Sequence, residues 1–233
     1  MKNVILAAGV LPIIIIGGVL VAAIGIGVYF YYSPATTEEK TPNGNKRPPQ
    51  NLAPGANPPH VRNSLNSKVV IEEFADFECP VCATVYGEMK KVENEFGDKI
   101  TVIFRQMPLV TIHRNAMNAS LAAEAAGKQG RFWEMHDILY EKQDEWKVYS
   151  DARDQFARYA QSLGLNVAQF QNDMVSLPLK SRVDLDIQRA NSMRVTGTPT
   201  IFINGKQVPV NDMNAEGLGK HINQAMSEAA APQ

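Results

Sequence analysis

Apolar and polar positions divide the chain into three stretches of different character. From Val4 to Tyr32 no charged residue interrupts the run VILAAGVLPIIIIGGVLVAAIGIGVYFYY, which exceeds the roughly 20 apolar residues a helix needs to cross a bilayer. The pattern predicts a membrane-spanning anchor over residues 1–32, closed by Tyr29, Phe30, Tyr31 and Tyr32 where an interfacial aromatic belt belongs. Lys2 on one side, against Glu38, Glu39 and Lys40 on the other, favours a cytoplasmic N-terminus. A cleaved signal peptide is the alternative, with Ser33-Pro34-Ala35 as its site, although the apolar run outlasts the roughly 7 to 15 residues of such segments. No cysteine follows the run to carry a lipid anchor.

The next stretch, 33–67, holds half of the chain's 14 prolines among Asn, Gly and Thr. With almost no large apolar side chains it reads as an extended extracytoplasmic tether, and His60 within it as a solvated linker histidine.

Beyond it, 68–233 carries the alternation of a folded α/β domain. Val69, Val70, Ile71 and Phe74 form a short β-branched run that fits a buried strand. Helical pattern follows from Cys79 to about Phe96, and Lys99 to Arg105 (KITVIFR) reads as a second strand. Between about 111 and 193 the pattern turns helical. Ala116, Ala119, Ala123 and Ala126 recur at helical spacing, as do Phe132, Met135, His136 and Leu139. Ser150 and Gly164 bracket another helix, Asn166 with Gln169 resembles a capping box, and Pro178 opens a longer helix. Strand character returns at Pro199 to Ile203 and Lys206 to Val210, joined by Asn204-Gly205, a strong two-residue hairpin signal. A last helix runs from Ala215 to about Ala230.

A length of 233 residues fits one domain with an appendage. The formal charge of −1 leaves no global basic field, so nucleic acid is not an expected partner. Nor is there a heptad-like stem to drive dimerisation.

The chain has only two cysteines, Cys79 and Cys82, and random placement would put two at this separation only about one time in a hundred. A strand that delivers Cys79 to the first turn of a helix places its sulfur among unpaired backbone N–H groups and the positive end of the helix dipole, which stabilises a thiolate. Cys79 is therefore expected to be the exposed, attacking sulfur. Cys82, one turn on, is placed to close a disulfide and to resolve a mixed one. Pro80 suits a helix start, where its missing N–H costs least. Half of a zinc site and a purely structural disulfide are the competing readings. Zinc needs two more ligands, and His113, His136 and His221 do not pair at a ligand-like spacing.

The run Val70 to Cys82 (VIEEFADFECPVC), taken with Gly197-Thr198-Pro199-Thr200, resembles the DsbA-like branch of the thioredoxin superfamily. Pro108 to His113 and Gln129 to His136 are similar to that family's helical insertion. The resemblance implies an α/β thioredoxin fold with an α-helical insertion between the second strand and a cis-proline loop, preceded here by one transmembrane helix. It implies a cis peptide bond before Pro199, a Thr198 backbone that binds extended peptide beside Pro80 and Val81, and a buried acid, Glu73, that exchanges a proton with Cys82. Glu72 then points to the opposite face and is solvated. No cofactor beyond the Cys79–Cys82 disulfide is expected.

One departure stands out. Strongly oxidising family members carry Pro-His between the cysteines; here the pair is Pro80-Val81, and valine can neither attract nor hydrogen-bond a thiolate. The expected function is a membrane-anchored oxidase that introduces disulfides into exported proteins and is reoxidised by a quinone-linked membrane enzyme. A reductase or isomerase kept reduced by a membrane electron donor, and a non-catalytic tethered peptide-binding module, are the alternatives. Met117, Met135, Met174 and Met193, like His113 and His136, read as packing or capping residues.

Overall fold

The computed structural model describes residues 52–231. The apolar run Val4 to Tyr32, with the membrane helix expected there, lies outside the described residues. No described helix is long and apolar enough to cross a membrane.

One sheet organises the domain. Its strands are β1 (His60–Asn63), β2 (Val70–Ala75), β3 (Thr101–Gln106), β4 (Thr200–Ile203) and β5 (Lys206–Gln207), in the order β1-β3-β2-β4-β5. Only β2 and β3 run parallel. A parallel pair needs a crossover, and α1 (Pro80–Phe96) supplies it. The remaining helices are α2 (Ala116–Lys128), α3 (Phe132–Glu141), α4 (Gln143–Trp146), α5 (Arg153–Ser162), α6 (Val167–Met174), α7 (Leu177–Ser192) and α8 (Ala215–Ala230).

Strand alternation sorts the core. Ile71 of β2 packs with Val85 and Met89 of α1 and with Leu218 and Ile222 of α8. Phe74 faces the other way, onto Phe202 and Ala190 of α7. The insertion builds its own core around α2, whose Ala116, Ala119, Ala122, Ala123 and Ala126 are wholly buried. Methyl-sized side chains let α3, α5, α6 and α7 close around this helix. Trp146, Phe156 and Phe170 fill the remaining space, and both cysteines belong to the same cluster.

The helical insertion, the Asn166 cap, whose side chain accepts from Gln169 N, and the last helix follow the sequence pattern. Asn204 and Gly205 take the positive φ values, 47° and 77°, that a tight hairpin needs. The expected strand from Lys206 to Val210 ends at Gln207, because Pro209 has no N–H to donate and a 3-10 turn follows. The helix expected after Ser150 begins at Arg153, since the Asp151 carboxylate instead accepts from Arg153 N and pairs with its guanidinium.

Three expectations are corrected, the first two for one physical reason. The tether does not reach Ser67: residues from Ala53 are part of the folded body, and β1 lies inside the expected linker. Glu72 does point away from Glu73's face, but it is not solvated. Arg105 Nε and Arg189 Nε donate to its carboxylate at 2.7 and 2.6 Å, and Arg105 Nη1 reaches Asp186 at 3.0 Å. The same two guanidinium groups donate to the carbonyl oxygens of Ala53, Pro54 and Ala56. Gly55, at φ 77°, lets the chain approach so closely that a Cβ there would fall 2.7 Å from Arg105 Nη1. The segment is thus ordered through its backbone, which apolar content does not register. His60 is no linker histidine either. Its ring stacks on Phe132 at 3.5 Å, and Nε2 lies 2.9 Å from the buried Glu124 carboxylate.

Breaking one partner of a buried ion network leaves an uncompensated charge. Arg105→Met is therefore expected to lower the unfolding free energy measured in urea by about 3 kcal/mol or more; a loss below about 1 kcal/mol would contradict a network that holds the 53–56 segment.

Candidate active site

Cys79 is the N-cap of α1, with extended dihedrals (φ −71°, ψ 122°), and Pro80 begins the helix. The turn that brings Cys79 there is set by Asp76, fully buried at the end of β2. Its Oδ1 accepts from Glu78 N at 2.8 Å, and its carbonyl accepts from Cys79 N at 3.1 Å. Oδ2 accepts from Leu109 N and engages His113 Nδ1, both at 2.8 Å, which ties the turn to the loop after β3. From the insertion, buried Gln143 donates to the carbonyls of Phe77 and Cys79 at 2.7 and 2.9 Å. Glu78 accepts from Asn115 N at 2.6 Å. Four side chains thus clamp a turn of a few residues.

Both cysteines are free thiols. Cys82 is wholly buried, and Cys79 is only 6% exposed, less open than its attacking role suggested. The loop carrying the cis Thr198–Pro199 bond covers it: Cys79 Sγ donates to the Thr198 carbonyl at 3.6 Å. The two sulfurs have opposite acidities. A hydrogen bond from the Cys82 thiol pulls the Cys79 pKa down to about 5 against its burial, helped by the Cys82 and Val81 backbone N–H groups and by Thr198. Cys82 is pushed far up, first by burial and then by the hydrogen bond it donates to Cys79. The backbone N–H groups at the helix start thus add to an effect led by the Cys82 thiol, and the side chain of residue 81 is not among its causes.

Val81, Thr198 and Pro199 line one groove of about 510 Å³ together with Val85, Val210 and Met213. Val81 is 53% exposed and Val210 74%. Pro80 sits at the helix start outside that lining. Glu73 lies in the interior, 4% exposed, on the face of β2 covered by α1. Burial and the Glu93 carboxylate lift its pKa from 4.5 to about 8, against a smaller pull from Arg62. Arg62, on β1, is held by Glu93 at 3.2 Å and Asp137 at 2.7 Å and lies over the Trp133 ring at 4.3 Å. At neutral pH the buried Glu73 side chain thus keeps its proton.

Sequence reasoning did not single out Asp76, Gln143 or Arg62. Asp76 had a local signal, an Asp two residues before an N–H that needs a partner. Gln143 and Arg62 act from elements distant in the chain. His136 is a core histidine as expected, its pKa lowered to about 4 by burial.

The sequence pattern of the thioredoxin family matches residues 57–224. The Na(+)/H(+) antiporter NhaA 1 of Mycolicibacterium gilvum is 39% identical over 150 residues, which make up 64% of this chain and 24% of that protein. The chain thus spans about a quarter of the length of the curated relatives it matches. Among solved structures, oxidised BdbD from Bacillus subtilis superposes with a TM-score of 0.64 at 22% identity, over 76% of this chain and 99% of that one. Alpha-DsbA1 from Wolbachia pipientis does so with a TM-score of 0.63 at 18% identity, over 74% and 93%. At these identities the structural likeness establishes the fold.

Because the folded pKa of Glu73 exceeds its unfolded value, the stability it confers is fully present below about pH 4.5 and is lost as pH rises to about 8. Glu73→Gln cannot ionise. Its unfolding free energy, relative to the native chain, is expected to be constant below about pH 4.5, to grow up to about pH 8 and then to level off. A difference independent of pH would contradict the buried-acid assignment.

Proposed function

This chain belongs to the thioredoxin family, and on that premise we propose that it is a thiol-disulfide oxidoreductase of the DsbA-like kind, introducing disulfide bonds into exported proteins. The observation that carries the reading is the acidity of Cys79, held at about 5 beside a Cys82 whose thiolate is strongly disfavoured. A stable Cys79 thiolate is a good leaving group and favours the reduced form of the enzyme, so the disulfide form is oxidising.

In the forward direction a substrate thiolate attacks Cys79 Sγ. The Cys79–Cys82 bond breaks, and its electron pair leaves on Cys82, which takes the proton of the Glu73 acid. A second substrate thiolate then attacks the substrate sulfur of the mixed disulfide and expels Cys79 as a thiolate. The substrate is oxidised by two electrons and the enzyme reduced by two. Reoxidation falls to a quinone-linked thiol oxidase in the membrane. The groove over Val81, Thr198 and Pro199 receives the extended substrate chain, with apolar side chains against Val81 and Val210. Residues 1–32 anchor the catalytic domain on the extracytoplasmic side, where disulfides persist.

Val81, in the place of a thiolate-stabilising histidine, favours a second reading, a reductase or isomerase kept reduced by a membrane electron donor. Trapping the thiols of the full chain in native membranes separates the two. The oxidase reading expects a mainly disulfide pair in cells, loss of reporter oxidation in Cys79→Ala, and substrate-linked mixed disulfides in Cys82→Ala. A mainly dithiol pair overturns the direction. Unchanged reporter oxidation in Cys79→Ala overturns the activity.

A further inference from the structure

His113 lies on the loop between β3 and α2, outside the thiol chemistry but bonded to the turn that carries it. The loop folds back on itself, with Ile112 N and His113 N both donating to the Leu109 carbonyl, at 3.0 and 2.9 Å. That fold aims Leu109 N and His113 Nδ1 at one oxygen, Oδ2 of Asp76, each at 2.8 Å. Asp76 is fully buried. Its other carboxylate oxygen accepts from Glu78 N and its carbonyl from Cys79 N. A single residue, Asp76, thus stands between the His113 ring and the backbone of Cys79.

The direction of the His113 bond follows from its partner. A carboxylate offers only lone pairs, so Nδ1 carries the proton and donates it. Glu72, Glu124 and Asp186 each meet a guanidinium. Asp76 meets none among the described residues, and the imidazole is its one side-chain donor there. Glu78 faces the same ring: burial raises its pKa, and the Asn115 N–H and the charge of His113 pull it back. The two carboxylates stand three residues and one residue before Cys79, where unscreened negative charge opposes a thiolate. The His113 side chain keeps 16% of its surface exposed, so filling the core does not account for it.

We propose that His113 is a positioning residue of the redox site: by donating from Nδ1 to Asp76 it fixes the turn that presents Cys79 and shields that sulfur from the carboxylate. The inference rests on the reading of Cys79 and Cys82 as a redox pair. His113 keeps its proton throughout and touches neither sulfur. Without its bond, the Asp76 side chain is free to swing off Glu78 N, and Cys79 loses its alignment with the N–H groups at the start of α1. The Asp76 charge also opposes the thiolate more strongly. Both consequences have one sign, a less acidic Cys79 and a less stabilised reduced form, hence a weaker oxidant.

Two measurements on the full chain test this: titration of the thiolate absorbance, and equilibration of the Cys79–Cys82 pair with glutathione, read by acid quenching and mass analysis. His113→Ala is expected to lower the Cys79 acid dissociation constant about tenfold. The equilibrium constant for reduction by glutathione falls by about the same factor, or about 30 mV. His113→Asn, whose amide N–H falls near the place of Nδ1, is expected to restore both constants to within about twofold. His113→Gln, whose amide falls nearer the place of Nε2, is expected to behave as alanine does. Ile222→Ala, which opens a cavity beneath α8, is expected to lose stability and leave both constants unmoved. Constants for His113→Ala within about twofold of native overturn the inference. So does an Asn variant no closer to native than the Gln variant, and that pair decides alone if His113→Ala does not fold. A native chain that exchanges no disulfide with glutathione overturns the redox reading itself. Native exchange with His113→Ala unmoved overturns the role of His113 alone.

Discussion

The rest of the site depends on one electrostatic division: two sulfurs a single helical turn apart are held in opposite environments. Cys79 sits where α1 begins and backbone N–H groups have no helical partner, so negative charge on it is welcomed. Cys82 has turned into the core, where negative charge is opposed. The hydrogen bond between them is the largest cause of the low Cys79 pKa and adds to the burial that raises that of Cys82. The division survives only if the turn stays fixed, which explains why Asp76 and Gln143 spend buried hydrogen bonds on backbone groups from Phe77 to Cys79.

Buried carboxylates in this fold divide in the same way. Glu72, Glu124 and Asp186 each meet a guanidinium and serve as fasteners, drawing the 53–56 segment, β1 and α7 onto the sheet. Glu73, one residue from Glu72, faces the opposite side of β2, has another carboxylate among its neighbours and keeps its proton. Adjacent residues of one type thus receive opposite environments, one ion-paired and one protonated, from strand alternation. Arg62 shows how the two systems join, since it anchors β1 to α1 and α3 while tempering the field on Glu73.

What the chain reveals before folding follows from how local each cause is. The Cys79–Cys82 pair, its place after a strand, the Asn204-Gly205 turn and the alanine spacing of α2 all act within a few residues, and each is legible. β1 is not, because Val61 is its only large apolar residue and its order comes from Arg62, His60 and distant partners. Glu72 looks solvated until Arg105 and Arg189, far along the chain, are brought to it. Gln143 belongs to a helix whose pattern reports only that it packs, and its meaning comes from the insertion folding back onto the turn.

The central claim is that the Cys82 thiol and the helix terminus make Cys79 acidic without help from the side chain of residue 81. Titrating the thiolate absorbance of the reduced chain, and repeating it with Cys82→Ala, tests this directly. The account predicts a midpoint near 5 for the native chain, moving upward when the Cys82 thiol is removed. A native midpoint at the ordinary thiol value of about 8.5, or one that Cys82→Ala leaves in place, would contradict it.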